Sequence, residues 1–400
     1  MSRIAWLIPG LLEGSGGHRT FLQHADVLQQ RGHHCTLYVE NPQGAAVASL
    51  RRDIQRYFGF FFDDVRSGWA DVEPAELVFA TIWYSARAVR DLSFPCVKAY
   101  FVQDFEAKFN PVGDAYLMAE NSYRYGLYPV AIGRWLPAML TQRFAIPASC
   151  FEFCADLAVY RRLPEIEREM AVCFIFQPEK SRRCPQLGLE ALGIVKHYMP
   201  HVKIYLFGSR VPGHVWFDHE NLGLLDLEAC NRLYNRCQVG LCISATNPSR
   251  IPFEMMAAGL PVVEVHRDNT VHDFPEAAML LCEQTPESLA RGILELLADA
   301  KRLERMGKAG EAFMASRPLE RGLDQFVEIS ESLIEGETPR QAPTEIMYGS
   351  RPCVGAPIPP EMVHGEPGRP LPDSGRLAFL PPRPRRAARF VYYHLRRWLN

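Results

Sequence analysis

The chain has 400 residues, a length that favours two or more domains over one. Hydrophobic residues make up 48% and charged residues 22%, so ordinary globular cores can form, and the formal net charge of −2 gives no global sign of nucleic-acid binding. No apolar run approaches the roughly 18 residues that a membrane-spanning helix needs, and the start, "MSRIAWLIPG", is typical of a first strand rather than a signal peptide.

The eleven cysteines do not form a recognisable disulfide or zinc pattern. They are scattered, odd in number and without a C-x-x-C pair. Most lie in apolar stretches, where cysteine behaves as a small hydrophobic residue. We therefore predict a reducing, cytoplasmic environment and no bound metal.

Short apolar runs alternate with helical patterns along most of the chain. The first series of strands is predicted at "IAWLIPG", "CTLYVE", "ELVFAT", "CVKAYFVQD" and "PVAIG". The pattern pauses at 153–164 and resumes with "AVCFIF", "KIYLFG", "VGLCIS" and "PVVEV". Such alternation indicates parallel sheets covered by helices. The predicted fold class is α/β, with one domain over 1–155 and a second over 156–335 that ends in a return helix.

The composition changes at about residue 336. Twelve of the 31 prolines lie between 339 and 384, without sustained periodicity, which predicts a disordered tail over 336–400. The end, "RPRRAARFVYYHLRRWLN", carries six arginines interleaved with aromatic residues. This segment, 383–400, is predicted to contact an anionic membrane surface. A disordered basic end is the alternative.

The first loop, "PGLLEGSGGHRTF", leads from a strand into a helix. Its glycines, Gly16 and Gly17 among them, permit close approach of a ligand, and the helix N-terminus favours an anion. The dinucleotide fingerprint G-x-G-x-x-G is incomplete, because the third glycine would fall at Arg19. Glu40 nevertheless lies where a ribose-binding acid would, so an NAD site is one alternative, and a turn without a ligand is another.

A basic loop opens the second domain. Lys180 and Arg182 in "FQPEKSRRCPQLG" lie where a strand leads into a helix. Cationic donors there can hold a diphosphate, and arginine can do so with two hydrogen bonds. A solvated basic turn is the alternative.

One carboxylate begins a short apolar segment, "PSRIPFEMMAAGLPVVEV". Pro252 suits the first helical position, which places Glu254 in the first turn, beside the loop at a strand's carboxyl end. There Glu254 can accept two hydrogen bonds from ribose hydroxyls, and Ser249 and Arg250 can contact phosphate or sugar. A carboxylate that only stabilises the helix dipole is the alternative.

The strand "AYFVQD" ends in polar residues that face the predicted cleft. Asp104 is the predicted catalytic residue, acting as a base or stabilising a developing cation, with Gln103 beside it and Glu106 as a competitor. A helix cap is the alternative for Asp104. Glu120 and Arg124 in "MAENSYRYG" are predicted to line an acceptor groove, and helix packing explains them equally well.

These features together resemble GT-B glycosyltransferases. The blocks "GSGGHRTF", "YFVQDFE", "YLMAENSYRYG" and "SRIPFEMMAAGLPVV" are most similar to retaining rhamnosyltransferases of the WsaF type, over about residues 1–335. The resemblance implies two Rossmann-like domains facing a cleft, with a nucleotide sugar bound by the second. It also implies dTDP-L-rhamnose as donor, retention of configuration and a role in cell-surface polysaccharide.

The chain departs from that family at two positions. Many members carry a Glu eight residues before the one matching Glu254, where this chain has Thr246. Arg-Pro is common where this chain has Gln177 and Pro178, which places more of the phosphate contact on Lys180 and Arg182.

The predicted function is therefore a cytoplasmic, metal-independent glycosyltransferase without a cofactor. Its predicted partners are a nucleotide-sugar donor and a glycan acceptor, and nucleic acid is not among them. A lipid-linked acceptor at the inner face of the membrane is one alternative. Two alternatives stay open: an NAD-dependent enzyme that modifies nucleotide sugars, and a non-catalytic nucleotide-sugar-binding relative.

Overall fold

The structure is a computed structural model that describes residues 1–211, 213–343 and 345–356. It contains two parallel sheets covered by helices, which confirms the predicted α/β class. The first sheet has seven strands in the order β3-β2-β1-β4-β5-β6-β7, and the second has six in the order β10-β9-β8-β11-β12-β13.

The first sheet is built from the amino-terminal part of the chain. Its strands are β1 (Arg3–Ile8), β2 (His34–Val39), β3 (Asp64–Ser67), β4 (Leu77–Ala80), β5 (Val97–Val102), β6 (Tyr128–Ile132) and β7 (Ser149–Phe151). The helices between them are α1 (Gly16–Gln30), α2 (Val47–Phe58), α3 (Trp83–Arg90), α4 (Asp114–Ser122) and α5 (Trp135–Phe144).

The second sheet follows from Ala171. Its strands are β8 (Ala171–Ile175), β9 (Lys203–Phe207), β10 (Glu220–Asn221), β11 (Val239–Leu241), β12 (Val262–Val265) and β13 (Met279–Cys282). The helices are α6 (Pro185–Tyr198), α7 (Leu227–Arg236), α8 (Ile251–Ala257), α9 (Pro286–Ala298), α10 (Ala300–Ala315) and α11 (Leu319–Glu335).

The last helix, α11, returns to the first sheet. Phe326 on α11 packs against Trp6 and Phe101, with ring centroids 5.9 and 5.4 Å away. All three side chains are buried. Burying a large apolar side chain stabilises a fold by roughly 1.5–3 kcal/mol. The helix that follows the second domain in the chain therefore completes the core of the first.

Both sheets place their loops where open α/β sheets bind ligands. In each, the strand order reverses direction beside the domain's first strand, between β1 and β4 in one domain and between β8 and β11 in the other. Ligands bind at the carboxyl ends of the strands at such a point. We therefore expect a ligand-binding site at the loops after β1, β5, β8 and β11.

The predicted tail begins later than residue 336. Tyr348 is only 4% exposed, and its backbone N–H donates to Val271 O at 3.0 Å. On the first domain, Ser149 Oγ donates to Arg340 O at 2.8 Å. Residues 337–343 and 345–356, which we call the strap, therefore contact both domains. Arg340 contacts the first domain, and the buried Tyr348 contacts the second.

The structure gives one finding that bears on membrane contact. Within the described part of the chain, no helix combines the length and the apolar character needed to cross a bilayer. The basic and aromatic segment 383–400 lies outside the described residues.

Candidate active site at the inter-domain cleft

The basic loop after β8 forms a compact cluster of positive charge. The guanidinium of Arg182 in this loop lies over the Phe109 ring of the first domain, 4.6 Å from the ring centroid. Burial lowers the pKa of Lys180 and of Arg182, and repulsion from the neighbouring arginines lowers both further. Arg182 Nε is buried and has no hydrogen-bond partner among the described residues. The loop thus carries cations whose charge an anion in the cleft would stabilise.

Glu254 lies at the start of α8, as predicted, and is partly buried. Burial raises the pKa of its carboxyl, whereas Arg250, the Tyr160 hydroxyl and Arg19 lower it. Arg250 Nη1 donates to Gln23 Oε1 at 3.3 Å, and Gln23 belongs to α1. The N-terminal part of α8 therefore faces α1 across the cleft.

The glycine loop reaches the same cleft from the first domain. Gly16 and Gly17 are exposed at the N-terminus of α1, which is capped by the Ser15 hydroxyl. Gln103 Nε2 donates to Gly17 O at 3.3 Å, so the loops after β1 and β5 are in contact. His18 is 7% exposed, and its ring bonds Gly10 O and Ser15 Oγ. His18 is therefore a packed residue at the base of this loop.

The acid that a dinucleotide site would need is already engaged. Glu40 Oε2 accepts hydrogen bonds from the Tyr84 hydroxyl at 2.9 Å and from Gly10 N at 3.4 Å. A ribose would have to share this carboxylate with the Tyr84 hydroxyl and Gly10 N, both of which bond Oε2. This contact weakens the NAD alternative, which also lacks the third glycine.

Asp104 lies in the cleft, but its carboxylate bridges the two domains. Asp104 Oδ2 accepts a hydrogen bond from Thr246 Oγ1 at 2.7 Å, and Oδ1 accepts from Asn247 N at 2.9 Å. Oδ1 also accepts from Phe105 N, the next residue, at 2.8 Å, and the turn that follows at Glu106–Phe109 has no side-chain cap, so the alternative of a helix cap is wrong. Burial raises the pKa of Asp104, and these bonds oppose the rise. Asp104 is therefore a buried bridge between the domains, only 6% exposed, rather than a carboxylate that is free in the cleft.

The loop that Asp104 contacts is fixed by buried polar residues of the second domain. Glu264 accepts from Ser244 N at 2.8 Å and from Ser244 Oγ at 2.9 Å. Asn269 Nδ2 donates to Ser244 O at 2.9 Å and also bonds Thr246 O. Burial raises the pKa of Glu264 to about 7. The sequence analysis missed Glu264 and Asn269, since nothing in their local pattern separates them from ordinary strand and turn residues.

A second buried carboxylate bridges the domains in the opposite direction. Asp273 accepts from Arg134 N at 2.8 Å and from Trp135 N at 3.3 Å, at the start of α5. Burial raises the pKa of Asp273 to about 6. Gly133 has φ +79°, and a Cβ there would lie 2.4 Å from the Phe153 ring, so glycine is required beside this contact. Asp273 was also missed from sequence.

Three further predicted site residues make no side-chain contact across the cleft among the described residues. Glu120 forms an ion pair with Arg143 of α5, and Arg124 lies over the Phe144 ring, 4.6 Å from its centroid. Helix packing therefore accounts for Glu120 and Arg124. Ser249 is beside Arg250 in the cleft loop without a side-chain bond among the described residues. Across those residues, no group of three His, Cys, Asp or Glu side chains is placed to hold a metal ion.

Glu106, the competitor of Asp104, is enclosed in the first domain. Its Oε2 accepts hydrogen bonds from Trp83 N at 2.6 Å and from the Tyr100 hydroxyl at 2.9 Å. Burial raises the pKa of Glu106 to about 8, and Asp104 adds to the rise. Its contacts are structural and stabilise the start of α3.

Comparison with known sequences relates the second domain to a characterised family. Residues 170–294 match the family described as WsaF, C-terminal domain. The chain is 28% identical over 314 residues to the O-antigen biosynthesis protein RfbC of Myxococcus xanthus, which covers 74% of this chain and 24% of that protein. The chain thus spans about a quarter of the length of this curated relative.

Solved structures with the same fold cover most of the described chain. Anabaena Alr3699/HepE, in complex with UDP and glucose, has a TM-score of 0.64 at 14% identity and covers 83% of this chain and 100% of its own. Sucrose-phosphate synthase from Thermosynechococcus elongatus has a TM-score of 0.62 at 15% identity, covering 84% and 100%. The chain therefore has the GT-B fold, and its residues 170–294 are similar to the family described as WsaF, C-terminal domain.

Proposed function

We propose that this chain is a glycosyltransferase that moves a sugar from a nucleotide diphosphate donor to a glycan acceptor. The observation that carries this proposal is the pair of cations Lys180 and Arg182 on a loop that contacts the first domain at Phe109, together with Glu254 at the start of α8, which faces α1. A sugar diphosphate supplies the negative charge that this cluster lacks. The relationship to an O-antigen biosynthesis protein supports a role in surface polysaccharide synthesis.

The basic loop would stabilise the leaving diphosphate. Glycosyl transfer develops negative charge on the departing phosphate, and donors that are already in position stabilise it most efficiently. Lys180, Arg182 and the exposed amide ends at Gly16 and Gly17 are such donors. These groups take the place that a metal ion occupies in other transferases, so the proposed reaction needs neither metal nor cofactor.

Glu254 would hold the nucleoside. Its carboxylate is partly buried at the start of α8, where it can accept two hydroxyl hydrogen bonds from a ribose. Charged hydrogen bonds contribute roughly 1.5–3 kcal/mol each. Arg250, held near Gln23, and the adjacent Ser249 would contact the phosphates or the transferred sugar.

Asp104 would act first by positioning the two domains. Its bonds to Thr246 and Asn247 hold the loop that leads into α8 against the first domain. In the proposed reaction Gln103 and Asp104 also face the acceptor hydroxyl. A role of Asp104 as proton acceptor requires that acceptor binding opens one of its hydrogen bonds.

The finer assignment is a retaining rhamnosyltransferase that uses dTDP-L-rhamnose. The WsaF family match in the second domain and the motifs "GSGGHRTF" and "SRIPFEMMAAG" support it. The proposed acceptor is a growing glycan, in lipid-linked form at the inner face of the membrane. The segment 383–400 would increase the local concentration of such an acceptor by binding anionic lipid.

A donor screen tests the proposal. Purified protein is incubated with dTDP-rhamnose, UDP-glucose, GDP-mannose or NAD, with and without EDTA, and release of nucleoside diphosphate and the melting temperature are measured. With dTDP-rhamnose we expect release of nucleoside diphosphate that EDTA does not change, together with a higher melting temperature. Arg182→Ala should lose both the release and the rise in melting temperature. Stabilisation by NAD alone would favour the dehydrogenase alternative, and nucleotide binding without turnover on any acceptor would favour the non-catalytic one.

A further inference from the structure

The strap pairs a cysteine directly with a cysteine of β13. Cys353 N donates to Leu281 O at 2.9 Å, and Glu283 N donates to Cys353 O at 3.0 Å. These two bonds make Cys282 and Cys353 partners in a parallel bridge. Neighbouring strands lie roughly 4.7–4.9 Å apart, within the roughly 4.4–6.8 Å that separates the Cα atoms of a disulfide.

Both thiols point to the same side, towards α9. A Cβ placed on Gly292 of α9 would lie 2.7 Å from Cys282 Sγ, so that sulfur lies against the helix. Next to Cys353, Arg291 of α9 donates to Val354 O at 2.8 Å. Hydrogen bonding from the Cys282 thiol lowers the pKa of Cys353 to about 7, and Arg291 and Arg302 contribute to the lowering. The two sulfurs therefore meet in one small space.

The pair is also open to a reagent on one side. Cys353 is partly exposed, whereas Cys282 is fully buried behind it. A second pair of thiols in contact, Cys173 and Cys237, provides a comparison within the chain, since both of its members are fully buried. Exposure and thiolate character together determine which thiols react, so the first pair is the reactive one of the two.

We propose that Cys282 and Cys353 are a reversible modification site that closes into a disulfide on exposure to a low-molecular-weight disulfide. The Cys353 thiolate attacks one sulfur of the reagent, forms a mixed disulfide and releases one reagent thiol. Cys282 then attacks the Cys353 sulfur and releases the second. Two protein thiols are oxidised, one reagent disulfide is reduced to two thiols, and the two thiol protons remain with the products.

The disulfide covalently fixes the strap to the second domain. The strap contacts the first domain at Arg340, whose carbonyl accepts from Ser149 Oγ at 2.8 Å, and the second domain at Tyr348 and Cys353. In the reduced chain, backbone and side-chain hydrogen bonds and one buried tyrosine hold these residues. Oxidation adds a covalent bond at the far end of this bridge, which fixes the position from which 357–400 continue.

The test oxidises the full-length chain and locates the product. Reduced protein is incubated with glutathione disulfide at pH 8, remaining thiols are alkylated, and intact mass and tryptic peptides are measured. We expect a loss of 2 Da before alkylation, two fewer alkylated cysteines and a linked peptide that joins Cys282 to Cys353. Dithiothreitol should restore all eleven thiols.

Three variants define the outcome. Cys353→Ser and Cys282→Ser should each abolish the 2 Da loss, and Cys282→Ser should accumulate a stable glutathione adduct on Cys353. Cys96→Ser, which removes another partly exposed cysteine just before β5, should behave as the wild type. A stable glutathione adduct on wild-type Cys353, a linked peptide between other cysteines, or no change in thiol count would overturn the proposal.

Discussion

The two domains share one strand order but equip the same edge of the sheet in different ways. In both, the cleft lies at the carboxyl ends of the two central strands. On the first domain, the buried carboxylates Asp104 and Glu106 accept hydrogen bonds from backbone and side chains. On the second, Lys180 and Arg182 repel each other. The shared topology places the loops, and the loop sequences decide which domain carries unsatisfied charge.

This difference indicates a division of roles. A carboxylate whose oxygens are occupied stabilises an arrangement of the chain, whereas a crowded cation is a poor stabiliser and a good ligand for an anion. In the proposed function the second domain is therefore the donor side, and the first domain contributes the facing surface of the cleft. Each experiment below changes one member of this comparison.

Removal of the cations should have the largest effect. If each charged hydrogen bond contributes roughly 1.5–3 kcal/mol, Lys180→Ala and Arg182→Ala should each weaken binding of a nucleoside diphosphate by about 10- to 100-fold. Unliganded Lys180→Ala should melt no earlier than the wild type, because a like-charge repulsion is relieved, whereas Arg182→Ala also loses its contact with the Phe109 ring. Calorimetric titration and thermal melting measure the two quantities.

The exposed Lys301→Ala is the control and should change neither quantity. Unchanged affinity in both loop variants would mean that the basic loop is only a solvated turn, and the contrast between the domains would then carry no functional meaning.

Glu254→Gln should have the next largest effect, and α9 supplies a matched control. Both α8 and α9 begin with proline near the first position and carry one acid in the first turn, Glu254 and Glu287. Loss of the charge at Glu254 should weaken nucleotide-sugar binding by about tenfold or more. Glu287→Gln should leave binding unchanged and lower the stability by about 0.3–1 kcal/mol. Equal effects on binding would reduce Glu254 to a helix-dipole residue.

Asp104 separates positioning from base catalysis. Asp104→Asn can keep the bonds from Asn247 N and Phe105 N and turn its amide towards the Thr246 hydroxyl, whereas Asp104→Ala leaves these groups unpaired. As a positioning residue, Asp104 should tolerate Asn with a severalfold loss of kcat, and Ala should cost about tenfold or more and enlarge the radius of gyration in solution scattering. Equal, severe losses in Asn and Ala with unchanged scattering would indicate a base instead.

The stability of the chain should depend on pH through its buried carboxyls. Burial raises the pKa of Glu106 to about 8, whereas an unfolded glutamate has a pKa of about 4.3. A group with a raised folded pKa contributes stability fully below its unfolded pKa and loses that contribution as pH rises through the folded value. Glu264 and Asp273 act in the same direction, at about 7 and about 6.

The midpoint of urea unfolding should therefore fall as pH rises from about 5 to about 9. Glu106→Gln keeps an oxygen that can accept from Trp83 N and the Tyr100 hydroxyl, so its midpoint should fall less steeply over this range. The exposed Glu320→Gln should follow the wild-type curve. Parallel curves for all three proteins would exclude Glu106 as a source of the pH dependence.

Much of the fold could be predicted from sequence because its signals are local. Buried parallel strands are short apolar runs, and the start of α8 is marked by Pro252 two residues before Glu254. The loops at the carboxyl ends of strands then follow from topology. The prediction that Lys180, Arg182 and Glu254 lie at one cleft follows from this reasoning.

What the sequence could not supply are contacts between distant segments. Asp104 bonds a loop 142 residues away, and Asp273 bonds the start of α5 139 residues away. The groups that donate to Asp104 and Asp273 are backbone N–H groups and one hydroxyl, which no residue pattern in the sequence distinguishes. The return of α11 to the first sheet and the packing of Tyr348 depend in the same way on shape rather than on periodicity.

The smallest effect is expected at the predicted acceptor groove. Glu120, which is partly exposed, pairs with Arg143, and the exposed Arg124 lies over Phe144, both between α4 and α5. Such contacts contribute roughly 1 kcal/mol or less. We expect Glu120→Ala and Arg124→Ala to lower the free energy of unfolding by no more than this amount and to leave the acceptor KM within twofold of the wild type.

The acceptor KM is the measurement that separates the two interpretations of α4. If these side chains only pack α4 against α5, their removal changes stability and nothing in the reaction. If they line the groove predicted from sequence, the acceptor KM should rise severalfold while the donor KM and the unfolding midpoint stay nearly constant. That result would add a second set of ligand-binding side chains to the first domain, and the assignment of unsatisfied charge to the donor side alone would have to be revised.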